Sequence, residues 1–217
     1  MPGRVKATAK FSGFEYQGGF ADPVFEPLRI FSATGTVYRA LKPWNISPQD
    51  VKYRAGALAS TEPIVTFELA KKHYSVSVAM AQFVFNSNAV AWDQAPVIIE
   101  IIGSTASALA KELGVTVTQH SLSISMQLGI TGKSIQELTG ALSIPLGYPA
   151  SDTDFFGFLL YTKDGVVFTV DKSAADPNDL FVRIVRKYKG TQDMDNMAKE
   201  LYEDEQGLAN ALGIEIE

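Results

Sequence analysis

The chain of 217 residues contains no cysteine. Disulfide bonds, thiolate metal ligands and cysteine nucleophiles are therefore excluded. Histidine is nearly as scarce, because only His73 and His120 occur. A histidine-based metal site or a Ser-His-Asp triad would have to use one of these two side chains. The sequence thus excludes several common kinds of catalytic site before any motif is considered.

Charge is also sparse, since charged residues make up 20% of the chain, against a usual share of about 25%. The net charge of −5 disfavours a nucleic-acid partner, because phosphate binding needs clustered Lys and Arg. Basic residues do gather at Arg183, Arg186, Lys187 and Lys189, where we expect a solvated end of a strand.

Long apolar runs are missing as well. No stretch approaches the roughly 20 apolar residues of a membrane span. Residues 1–10 carry charges and lack the apolar core of a signal peptide. These features predict a cytoplasmic protein that has no membrane partner and can belong to a larger assembly.

What the chain does contain is alternation of apolar and polar residues, which is typical of half-buried strands. We predict strands over residues 4–11, 28–41, 64–69, 73–85 and 115–128, with breaks in the alternation near Ala81 and Gln119. A hairpin is predicted over residues 155–170, turning at Asp164-Gly165 in a type I′ turn. Leu180, Val182 and Ile184 then predict the next strand of an antiparallel meander.

Helical signals are fewer. Residues 93–113 predict a long helix that stops at Gly114, although 97–102 is rich in β-branched residues and a strand there is the alternative. Short helices are predicted to start at Ser47 and, through a capping box with Glu137, at Ser134. Apolar residues at helical spacing predict a last helix within residues 193–217, followed by an acidic tail.

Together these elements predict a single α+β domain over residues 1–217. It consists of a mainly antiparallel, meander-like sheet with two or three packed helices, one of them near the C-terminus.

Residues 13–27 form the longest segment for which we predict neither strand nor helix. A loop of this length in a compact domain is usually functional or docked on something. It contains Phe14, Tyr16, Phe20 and Phe25, which we regard as candidate interface residues. The apolar stripe of the last helix adds Leu201, Leu208 and Leu212 as further interface candidates, with core packing as the simpler interpretation.

One partial phosphate-binding motif occurs at residues 129–134, where Gly132 is followed by Lys133 and Ser134. A P-loop surrounds phosphates with backbone N–H groups, and its lysine and serine reach the terminal phosphate and Mg²⁺. Gln127 stands where the motif needs its first glycine. The capping box explains Ser134 equally well, so nucleotide binding is a remote alternative.

His120 and Trp92 complete the candidate ligand-binding residues. His120 lies in phase with apolar residues of its strand, beside the break in alternation, and a buried structural histidine is the simpler interpretation. Trp92 precedes the long predicted helix, where aromatic residues usually pack the helix onto the core. No cofactor, metal site or catalytic residue is predicted.

The leading hypothesis is therefore a non-enzymatic assembly or interaction protein, a homo-oligomer or a self-associating structural subunit. Sparse charge, the aromatic segment 13–27 and the small catalytic inventory support it. The alternative is a small-molecule binding module with a pocket between a curved sheet and a helix. No motif in the chain resembles that of a known family.

Overall fold

The computed structural model describes residues 4–54, 59–69, 73–88, 91–135, 138, 157–176, 178–190 and 192–217. These residues belong to two compact units. The terminal unit consists of Met1–Ser12, Ser123–Arg186 and Lys199–Glu217, and the central unit consists of Gly13–Leu122 and Lys187–Ala198. The prediction of one domain over the whole chain stays a prediction.

Ten strands occur among the described residues. They are β1 (Val5–Phe20), β2 (Val51–Tyr53), β3 (Val65–Leu69), β4 (Tyr74–Val78), β5 (Gln82–Asn88), β6 (Val117–Ile130), β7 (Phe158–Tyr161), β8 (Val166–Lys172), β9 (Asp179–Lys189) and β10 (Ile214–Ile216). Hydrogen bonding orders them as β2-β3-β4-β5-β1-β6-β9-β8-β7, with β10 paired to β1. The pairings of β2 to β5, of β5 with β1, and of β7 to β9 are antiparallel, whereas β10 runs parallel to β1.

The described residues also include three α-helices, α1 (Pro27–Leu41), α2 (Ala95–Leu113) and α3 (Met194–Leu212). The predicted α+β class with a mainly antiparallel sheet and a helix near the C-terminus is thus confirmed. Gly114 and Gly213 follow α2 and α3 with φ of 70° and 68°. Glycine adopts this left-handed conformation at little cost, so both helices end where the sequence predicts.

The predicted strand over residues 28–41 is wrong, because this segment is α1. Pro27 occupies the start of the helix, where its missing N–H costs nothing. The buried residues Ile30, Ala33, Val37 and Leu41 recur at helical spacing. The β-branched and aromatic composition indicated a strand, but the burial of one helical face overrides that propensity.

The predicted loop over residues 13–27 is wrong for its first half, which continues β1 as far as Phe20 and pairs with β5. Glycines were the misleading signal. A Cβ on Gly18 would lie 2.6 Å from Cε1 of Phe83 and 2.9 Å from the Tyr16 hydroxyl oxygen. Gly18 therefore makes room for aromatic rings on the sheet instead of forming a turn.

Three further boundaries differ from the predictions or refine them. The helix predicted from Ser47 is only a 3-10 turn, Pro48–Asp50, which the Ser47–Asp50 capping box closes before β2 begins. The break near Ala81 separates β4 from β5 as an antiparallel hairpin. Residues 97–102 are helical, as part of α2.

The meander of β7, β8 and β9 is confirmed in the terminal unit. Its first turn is not type I′, because Gly165 has a φ of 88° while Asp164 does not share the positive value that such a turn requires. The start of the predicted hairpin at residues 155–156 lies outside the described residues, as do most residues of the helix predicted over 134–142.

Candidate functional site

His120 occupies a buried position on β6 in the central unit, where both ring nitrogens have partners. Nδ1 lies 2.9 Å from the Tyr16 hydroxyl and Nε2 lies 3.1 Å from the carbonyl oxygen of Gly190. A carbonyl only accepts, so we assign the proton of a neutral ring to Nε2, and the Tyr16 hydroxyl donates to Nδ1.

The Tyr16–His120 pair is buried among aromatic rings. The Tyr16 side chain is fully buried, and its ring centroid lies 5.4 Å from that of Phe83 and 6.0 Å from that of His120. Burial lowers the pKa of His120 and raises that of Tyr16, because burial disfavours both charged forms. The arrangement holds a neutral imidazole in place, which supports the structural interpretation of His120.

The phosphate-like segment has structural uses for its glycines. A Cβ on Gly129 would lie 2.7 Å from Cε of Lys10, so the absence of a side chain lets Lys10 cross β6 there. Gly132 has a φ of 86°, which favours glycine. The Thr131 N–H donates to the carbonyl of Lys6, so this backbone donor is used within the sheet and does not face a phosphate.

Lys133 and Ser134, at the end of this segment, are exposed. Glu137, the predicted partner of Ser134, lies outside the described residues. Trp92 is half-buried in a 3-10 turn, Trp92–Gln94, that leads into α2. A role of His120, Trp92, Lys133 and Ser134 in ligand binding stays a prediction.

The candidate interface residues divide by burial. Tyr16 and Phe20 are buried in the central unit, while Phe14 is half-buried against Phe85 at a ring-centroid distance of 6.1 Å. Phe25 is 74% exposed. The buried members of the C-terminal stripe are Leu201, Leu208 and Leu212. Of all these side chains, Phe25 offers the most surface to a partner.

Arg186 was expected at a solvated strand end, and this expectation is wrong. Its side chain is 14% exposed and binds Asp204 of α3 in bidentate fashion, with Nε–Oδ2 and Nη2–Oδ1 distances of 2.7 and 2.8 Å. Nη1 also donates to Glu200 over 3.1 Å. The acidic side of α3 therefore holds β9 through a charged network, and Glu205 is buried as well.

Asp179 forms a second buried charged contact in the terminal unit. One carboxylate oxygen accepts from Lys10 Nζ at 2.7 Å and the other from Gln127 Nε2 at 2.7 Å. The hydrogen bond to Asp179 is the main cause that raises the pKa of Lys10. Because both of its carboxylate oxygens accept from these donors, Asp179 has a structural role in the sheet.

The sequence predicted β7 as part of a hairpin, but sequence reasoning missed its position and its exposed apolar side chains. Among the described strands it is the last in the hydrogen-bond order, and it consists of Phe-Leu-Leu-Tyr, without a charged residue. Leu159, Leu160 and Tyr161 are 54%, 50% and 70% exposed. Three consecutive apolar residues break the alternation of a half-buried strand, and that signal could have drawn attention to this segment.

An open groove of about 590 Å³ lies in the central unit between α1 and α2. Its lining residues are Thr36, Ala40, Glu100, Gly103, Ser104, Ser107, Ala108 and Lys111. All of them belong to helices, so this groove is not the pocket between sheet and helix that the alternative hypothesis predicts. Its lining residues are polar or small, whereas most ligand sites are lined predominantly by large apolar and aromatic side chains.

Within the described residues, no group of three or more His, Asp or Glu side chains is placed to hold a metal ion. None of the helices in that part of the chain is long and apolar enough to cross a membrane. No family model matches the chain, and a search of curated proteins gives no match. The functional argument therefore depends on the chain's own residues.

Proposed function

We propose that this chain is a non-enzymatic interaction protein that associates with itself. The single observation that carries the proposal is the exposed, uncharged edge strand β7. An edge strand presents unpaired N–H and C=O groups, and proteins that stay monomeric usually protect such edges with charges, proline or bulges. β7 has none of the charges and no proline.

The polar candidates do not favour catalysis. His120 is neutral, buried and bonded through both nitrogens. The carboxylates of Asp179, which is buried, and of Asp204, which is partly buried, are bound to cations of the same unit. A catalytic base must reach a substrate proton, and these groups reach only their structural partners. This inventory supports a binding role over an enzymatic one.

The test is the mass of the purified protein in solution, measured by light scattering behind size exclusion over a wide concentration range. We expect the mass to rise above the 23.6 kDa of one chain as concentration increases. Leu160→Lys should shift the equilibrium towards the monomer, because a charge on an edge strand opposes strand addition. Leu28→Lys is the matched control, since Leu28 is 80% exposed on α1. A monomer at every concentration would refute the proposal.

A further inference from the structure

We propose that two copies of the chain pair through β7, antiparallel and with the two-fold axis at Leu160. This inference depends on the proposed function and names its partner and its register. It rests on which backbone groups of β7 point away from β8, and on which side chains that direction would bring together.

Two hydrogen bonds establish the direction of the backbone groups. The Thr162 N–H donates to the Val166 carbonyl, so Thr162 and Val166 form a hydrogen-bonded pair. In an antiparallel ladder such pairs occur at every second residue. The backbone N–H and C=O groups of Leu160 and Phe158 therefore also point towards β8. The Ser173 N–H donates to the Asp179 carbonyl. The backbone N–H and C=O groups of odd-numbered residues of β8 therefore point towards β9, and those of even-numbered residues point towards β7. This independently assigns Val166, Phe168 and Val170 as the hydrogen-bonded partners of β7.

It follows that the N–H and C=O groups of Leu159 and Tyr161 point outwards from the edge. In an antiparallel pair of identical strands, hydrogen-bonded partners must both be outward-facing residues. Leu159 of one copy then faces Tyr161 of the other, and the reverse, while Leu160 lies opposite its own equivalent. In this register the outward N–H and C=O groups of Leu159 and Tyr161 all form hydrogen bonds. A two-fold axis midway between Leu159 and Leu160 would place outward-facing residues opposite inward-facing ones, and these bonds would be lost.

The side chains agree with this register. Residues opposite each other share a face of the sheet, so Leu159 and Tyr161 would cover each other on one face. On the other face the two Leu160 side chains would meet. Leu160 lies opposite Phe168 of β8, on the same face as the buried residues Val166 and Val170. A second copy would therefore extend the apolar face of the terminal unit beyond its present edge.

A second copy fits this edge better than a charged partner does. The strand carries no charge, whereas the whole chain carries −5, so pairing at β7 places no like charges directly opposite each other. A strand of four residues is short, and its pairing buries less than the roughly 800 Å² per partner of a standard interface. We therefore expect a reversible, concentration-dependent dimer.

The absence of cysteine allows a direct test of the register. Opposed residues of a non-hydrogen-bonded pair lie with Cα atoms about 4.5 Å apart, within the range of a disulfide. Leu160→Cys should therefore form a covalent dimer under mild oxidation. Leu159→Cys is the matched control of similar exposure. Its two copies would lie diagonally, about 7–8 Å apart, so we expect several-fold less covalent dimer.

The outcomes separate the register from the proposed function. An oligomeric parent protein whose Leu160→Cys variant cross-links no more than Leu159→Cys would overturn the register and leave self-association intact. A monomeric parent protein would overturn both. Leu159→Pro provides a second variant, because it removes an outward N–H without breaking the ladder to β8. We expect it to lower the dimer fraction, and an unchanged fraction would also overturn the register.

Discussion

The central and terminal units place their charges differently. The central unit buries the rings of Tyr16 and Phe83 and a neutral histidine. The terminal unit has ion pairs that are wholly or partly buried on the carboxylate side, with Asp179 bound by Lys10 and Asp204 by Arg186. The central unit thus holds His120 through neutral partners, whereas the terminal unit holds Asp179 and Asp204 through cations.

The edge strands differ in the opposite sense, because the charged edge strand belongs to the central unit and the uncharged one to the terminal unit. β2 carries Lys52, which pairs with Glu68 on β3. β7 carries no charge and exposes three apolar residues. The unit with the charged interior thus has the apolar edge. This contrast indicates that the surface of the terminal unit, and not its buried polar groups, is where an interaction is to be sought.

The largest effect is expected at the charged interior of the terminal unit. Arg186→Leu leaves Asp204 and Glu200 without this cation in a poorly solvated place, and we expect the free energy of unfolding to fall by about 3–5 kcal/mol. Urea denaturation measures the change. Lys199→Ala is the control, because its pair with Glu203 is exposed on the same helix, and its loss should change stability by less than about 0.5 kcal/mol. Equal effects of the two substitutions would contradict the central role of Arg186.

The next largest change in stability is expected at Gly18 of the central unit, compared with Gly129 of the terminal unit. Gly18→Ala places a Cβ against the buried rings of Phe83 and Tyr16, and we expect a loss of about 1–3 kcal/mol from overpacking. Gly129→Ala meets the flexible end of Lys10, which can move, so we expect less than about 0.5 kcal/mol. Thermal denaturation of both variants tests this, and a larger loss at Gly129 would show that Lys10 is held rigidly.

The smallest effect is the pH dependence of the neutral pair in the central unit. Burial lowers the pKa of His120 in the folded protein. Below about pH 6.5 the unfolded state therefore binds the proton more readily than the folded state. The stabilisation that the neutral His120 contributes is complete above about pH 6.5. It is lost as the pH falls from there through the lower pKa that His120 has in the folded protein.

His120→Gln should flatten the slope of stability against pH in that window, because glutamine does not titrate. Urea denaturation at a series of pH values measures the slope. His73→Gln is the control, since it removes the other histidine from an exposed turn. If the parent slope persists in His120→Gln, another group is responsible for it.

Much of the fold followed from local patterns. Alternation located most of the strands, and the two glycines after α2 and α3 gave their ends correctly. The failures have a common cause. Glycine and β-branched residues have local meanings, a turn and a strand, that tertiary packing reversed at Gly18 and over α1. Local propensity is weak compared with the burial of a helix face or an aromatic ring.

The candidate site was less predictable than the fold. The scarcity of histidine and the incomplete motif at residues 129–134 were visible in the sequence. They lowered the expectation of catalysis, which stays a prediction. The partners of Arg186 and Asp179 were not visible, because they come from other elements of the chain.

The alternation that makes strands and the α+β class could be derived from the amino-acid sequence alone. These properties depend on neighbouring residues, whose periodicity is local. The partners of the polar groups and the position of a strand at an edge could not be derived in this way. Both depend on the order of strands, which brings together residues far apart in the chain. The apolar run of β7 was visible in the sequence, but its place at the end of the order of the described strands was not.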